Sequence, residues 1–144
     1  MAHSESDERG TTLLLVPVMF LVLLMLAGLT VDWSAGFLAK REALNAADAA
    51  ANDAAAAAID TVYYQKTKTV VISEAVAQRV ARATISRRLS KLHGVSTLTT
   101  VTGTPPVVKV VVTGSVDTIF SRAFPFGTRV INVTATGYAA AVGA

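Results

Sequence analysis

From Thr11 to Val31 the chain reads TTLLLVPVMFLVLLMLAGLTV, twenty-one residues without a charge. As a helix this run rises about 31 Å, the thickness of a bilayer's hydrocarbon core. A helix that is apolar on every side has to be enclosed, by lipid or by protein. A chain of 144 residues rarely hides so long an apolar run in its own core. The run therefore reads as a membrane-spanning helix, with Pro17 one to two turns inside as a kink point. A cleaved secretory signal is the rival reading. Against it, the run is longer than a signal's apolar region, the leader MAHSESDERG carries a side-chain charge of −2, and no clear A-x-A site follows. Flanking charge orients the span only weakly. Asp32, Lys40, Arg41 and Glu42 sum to zero, and Lys40 and Arg41 alone lean toward a cytoplasmic C-terminus.

Between Asp32 and Ile59 there is no proline and one glycine, Gly36, so the helix is expected to continue as one rod of about 45–50 residues. Its outer half, FLAKREALNAADAAANDAAAAAID, is an alanine run broken by Asn45, Asp48, Asn52 and Asp53. Alanine is the best helix former but buries little surface. Such a helix is thin and smooth, and neighbours can approach it closely. That suggests a packing or assembly surface more than an active site. Phe37, Arg41, Leu44, Ala47, Ala51, Ala55 and Ile59 share one face at spacings of four and three. Asn45, Asp48 and Asn52 form a second, polar stripe: either a solvated face or a register-setting contact with a neighbouring chain.

The stretch TVYYQKTKTVVIS loses the helical period and reads as a short strand or a loop. A second helix is expected over 73–92, with Ser73 as N-cap, Glu74 in the first turn and Gly94 as the C-terminal cap. It carries Arg79, Arg82, Arg87, Arg88 and Lys91 against one acid, Glu74. This is a solvated face, or a contact for anionic lipid headgroups, anionic envelope polymer or an acidic partner. Nucleic acid is set aside, because the patch has no interleaved aromatics and no helix-turn-helix partner. Beyond Gly94 the pattern turns to period two. Strands are expected over 95–102, 107–114 and 129–140, with a turn at Gly103–Pro106 and a loop over 115–127. The fold class is α+β: a long N-terminal transmembrane and stalk helix, and a second helix packed on a small antiparallel sheet. The expected divisions are a leader over 1–10, a membrane helix over 11–31, an alanine-rich stalk over 32–60 and an outer domain over 61–144.

Enzyme chemistry finds little to work with. Absence of cysteine excludes disulfides, thiolate metal sites and thiol catalysis. The two histidines, His3 and His93, have no ligand-spaced neighbours, and neither G-x-S-x-G nor a glycine-rich phosphate loop occurs. No catalytic residue, cofactor or metal is expected. Asp32 stands apart from the other acids because it lies at the edge of the apolar run, beside Trp33. It is either an interfacial cap, with Trp33 as aromatic anchor, or the partner of a group in the membrane.

The N-terminal third resembles a known family. Glu8-Arg9-Gly10, an apolar span, Val31-Asp32, the basic pair Lys40-Arg41 and Leu44-Asn45-Ala46-Ala47-Asp48-Ala49-Ala50 together look like the opening module of TadE/TadG-like proteins of the Flp (tight-adherence) pilus system. The resemblance implies a bacterial, pilin-like, non-catalytic protein that works with other pilus or secretion-system subunits. The leader would be cytoplasmic and the C-terminal domain extracytoplasmic. It also implies that the alanine helix packs against neighbours, with Asp32, Asn45, Asp48 and Asn52 as candidate assembly contacts. Gly10 and Thr11 are the candidate processing point. Cleaved pseudopilins have a glutamate five residues after the processing glycine, where this chain has Leu15, so an uncleaved TadG-like anchor fits better. The alternative is a secreted or surface binding module with a cleaved signal, holding anionic wall polymer or lipid through the basic helix.

Overall fold

The computed structural model describes residues 5–67, 69–123 and 127–141, and of 5–12 and 61–63 the backbone alone. The first helix, α1, runs Glu5–Ala57, and Pro17 lies inside it without ending it. The chain forms two compact units. One holds the chain up to Ser34 together with Thr118–Arg129; the other holds Ala35–Asp117 and the chain from Val130 onward.

The second unit is built on a three-stranded antiparallel meander. Strand β1 (His93–Thr102) pairs with β2 (Val107–Asp117), which pairs with β3 (Val130–Ala140). The register places Val110 between Thr99 and Gly137. Val108, Val110 and Val112 are fully buried on one face, with Val133, Ala135 and Ala139 of β3 beside them. Leu98 and Tyr138 look the other way into solvent, and Lys109 lies over the Tyr138 ring, 5.8 Å from its centroid. The alternation expected from sequence is thus the alternation between core and solvent.

Alanine covers the inner face. Ala39, Ala43, Ala46, Ala47, Ala50, Ala51, Ala54, Ala55 and Ala58 are all buried. Their spacings repeat the helical period as one continuous stripe. A side chain on Gly137 of β3 would stand 2.3 Å from the carbonyl carbon of Ala47, so helix backbone meets strand backbone there. Only small residues on both sides allow that distance. The alanine surface therefore packs within the chain, on its own sheet. Phe37 and Leu44, expected on the same face as these alanines, are exposed.

Two helices complete the unit. Helix α2 (Thr61–Thr67) occupies the stretch expected to be a strand or loop. Its base is closed by the bridge between Ile59 and Ile72 and by hydrogen bonds from Asp60 N to Val71 O (3.0 Å) and from Ser73 N to Ala58 O (2.9 Å). Helix α3 (Glu74–Arg88) buries Ala77, Ala81, Thr84 and Ile85. Ser73 is its N-cap as expected, although the Ser73 hydroxyl makes no capping bond. The helix stops one turn earlier than expected, with Leu89 as C-cap. The reason is packing: Leu92 leaves the helix and sits on Gly114 of β2, where a side chain would meet its Cδ2 at 2.9 Å. Gly94, with φ +61°, serves the irregular start of β1, where the register shifts between His93 and Ser96. Strand β2 also runs on to Asp117, past the expected end, because Ser115, Val116 and Asp117 find partners in Asn132, Ile131 and Val130.

Candidate functional site

In the first unit the carboxylate of Asp32 is 2% exposed and fully engaged. Its Oδ1 accepts the backbone N–H of Ile119 (2.8 Å) and of Phe120 (3.1 Å). Its Oδ2 accepts the backbone N–H of Ser121 (2.5 Å) and the Ser121 hydroxyl (2.6 Å). Three successive amides converging on one anion form a nest. The Ser121 hydroxyl is the largest influence holding the Asp32 carboxyl down, to a pKa of about 2; burial opposes it, and the three amides add to it. The four donors use the acceptor positions a carboxylate has. Asp32 is therefore ionised across the physiological range and has no lone pair left for proton transfer. Its chemistry is to clasp a loop.

The loop is shaped for this. At its neck Thr118 N donates to Arg129 O (3.1 Å), and the Thr118 hydroxyl donates to Thr128 O (2.5 Å). Ser121–Ala123 form a single 3-10 turn, closed by Ala123 N to Phe120 O at 3.0 Å. Gly127 passes so close to Ser121 that a Cβ there would lie 1.6 Å from the Ser121 carbonyl oxygen. On the helix side, the Phe120 ring rests on Gly28, whose absent Cβ would be 3.0 Å from Phe120 Cβ and Cγ. Trp33 next to the clasp is 79% exposed. Sequence singled out Asp32 but not Ile119, Phe120 or Ser121. The amides that hold it carry no side-chain signature, and they lie 87–89 residues away.

The other residues named from sequence are spread over the molecule. Asn45, Asp48 and Asn52 are exposed on α1, away from the alanine stripe. Neighbouring Asp53 accepts the hydroxyl of Thr84 on α3 (2.9 Å). Arg79, Arg82, Arg87, Arg88 and Lys91 are exposed, and Arg87 Nε turns back to Ala83 O (3.1 Å). Arg82 also borders a groove with Ile85, Leu89, Val95 and Thr97. Gly10 and Thr11 lie within α1. His93 faces Asp117 across 3.8 Å at the surface. Among the described residues no three His, Asp or Glu side chains gather as a metal site would require.

Helix α1 is long and apolar enough to cross a membrane, with a mean hydropathy of 2.7 in its most apolar stretch and 6% of that stretch buried. The Flp pilus-assembly TadE/G-like family model matches residues 10–83, half of the chain. The chain belongs to this family. No curated protein and no solved structure matches it. The Tad match takes in the apolar run, Asp32, the alanine stripe and the first part of α3, and stops before the sheet. Asp32 thus lies inside the Tad module, and the loop it holds lies outside it.

Proposed function

We propose that this chain is a single-pass membrane protein of the Flp/Tad system, a minor pilin or assembly factor with a cytoplasmic N-terminus and an extracytoplasmic α+β domain. A non-catalytic role in pilus assembly follows from its family. The observation that carries the finer reading is the contrast along α1. Large apolar side chains from Leu13 to Leu26 stand bare, while the alanines further on are covered by the chain itself. A bare run of that length calls for lipid. With the alanine stripe occupied, the exposed stripe Asn45, Asp48 and Asn52 is a polar surface that α1 offers to other subunits. Those side chains are suited to setting register through hydrogen bonds. The divisions expected at residues 10, 31 and 60 belong to this same proposal, as do Gly10 and Thr11 as a processing point.

Co-purification of the full chain with the other pilus components tests the proposal. Pili that assemble and adhere normally in a deletion strain would sink it. The intact mass of the protein from isolated membranes decides the finer point. A full-length mass supports an uncleaved anchor, and a start at Thr11 marks a processed subunit. A start beyond Val31 would leave a secreted module instead, with the basic face of α3 as its binding surface.

A further inference from the structure

The loop clasped by Asp32 reaches back onto the end of the apolar run, where Phe120 meets Gly28. Gly28, on which the Phe120 ring rests, is inside the uncharged stretch, one helical turn or about 6 Å before Asp32. A ring packed on Gly28 shares its level. Yet Ile119 is 67% exposed and Phe120 45%, so the chain does not cover them. On the helix, Leu29 and Val31, which lie between Gly28 and Asp32 in sequence, are also exposed. Arg122 and Arg129 of the same loop are exposed cations. Irregular backbone is tolerated near hydrocarbon only where its N–H groups find acceptors. The Asp32 carboxylate supplies an acceptor to each of the three amides at Ile119, Phe120 and Ser121.

We infer that the described part of this loop, residues 119–122 with Arg129, is a second membrane contact. Ile119 and Phe120 enter the headgroup–acyl boundary beside the helix, and Arg122 and Arg129 face lipid phosphates. The inference rests on the reading of the apolar run as a membrane span, because the loop is continuous with that lipid-facing surface. Asp32 then serves as the internal ligand that lets the turn lie there.

The chain has no cysteine, so Ile119→Cys and, separately, Leu21→Cys each give a single site for an environment-sensitive fluorophore. The full-length chain is reconstituted into vesicles of phosphatidylcholine and phosphatidylglycerol whose acyl chains are brominated either near the headgroup or near the bilayer centre. The label at position 119 should lose most of its emission to shallow bromine and little to deep bromine. The label at 21 should be quenched more by deep bromine. Quenching at 21 without quenching at 119 overturns the loop contact and leaves the anchor standing. No quenching at either position overturns both. A label at 119 that ignores brominated lipid but is shielded from aqueous iodide would mean that a second copy covers the loop, and would equally overturn a lipid contact.

Discussion

Two stretches of α1 are apolar in different ways. From Leu13 to Leu26 the side chains are large and bare; from Ala39 to Ala55 those on one face are methyl groups and buried. Hydrophobicity alone does not separate them. Size does. A methyl stripe lets backbone approach backbone, as at Ala47 and Gly137, and excludes water with little area per residue. Leucines and valines at the same spacing would hold a sheet off, and from Leu13 to Leu26 they stand uncovered. The lesson is that small residues mark the part of α1 that meets a rigid partner, its own sheet, and that the large ones are bare; lipid as their partner belongs to the proposed function.

The sharpest way to break this comparison is Gly137→Val. Its side chain has no room against Ala47, and the cost should exceed about 3 kcal/mol, enough to unfold the sheet unit. Denaturant unfolding of the full chain in detergent would show it, with Leu21→Ala in the bare run shifting the same midpoint hardly at all. An unchanged midpoint for Gly137→Val would mean that helix and strand are not in contact. Next in size comes Val110→Ala, a fully buried side chain in the centre of the sheet, expected to cost about 2–3 kcal/mol in the same assay.

The clasp gives a local effect with a definite sign. The Asp32 carboxyl ionises at about 2 against an ordinary 3.8, so the unfolded chain binds the proton more readily. The clasp's contribution to stability is complete above pH 3.8 and is lost as pH falls toward 2. Amide exchange at residues 119–121 should be slow and follow only the intrinsic rate from neutral pH down to 4, then lose protection below it. In Asp32→Asn that step should vanish. A step that persists in the variant would assign the protection to another group. Smaller still is Thr84→Val, which removes one hydrogen bond to an exposed carboxylate and should cost about 1 kcal/mol or less. Smallest for folding is the triple change of Asn45, Asp48 and Asn52 to Ala, within about 0.5 kcal/mol on unfolding. Its effect should appear instead as lost co-purification with pilus components.

How far the sequence could be read follows from where each signal lives. The apolar run, α3 and the strands are local patterns, and Val108, Val110 and Val112 alternate in sequence as they do in the core. Helix α2 was missed because TVYYQKT has β-branched and aromatic residues and no apolar period; its ends are fixed by the contact of Ile59 with Ile72. The end of α3 was set by Leu92 reaching Gly114, a tertiary contact. Alanine content pointed to close packing but not to the partner, and the partner is Gly137 of the same chain. Asp32 was recognisable as unusual because of its place beside an uncharged run. Its ligands were not, since a backbone amide belongs to every residue but proline.

The clasp also imposes an order in time. Ile119 follows Asp32 by 87 residues, so at about 5–20 residues per second the loop is synthesised about 4–17 s after the carboxylate that receives it. Through that interval Asp32 is a charge without its amide donors, next to the apolar run. Once the loop arrives, the same carboxylate gives up its water and becomes an internal fastening. A newly made chain thus begins with an open charge and ends with one hidden inside the fold.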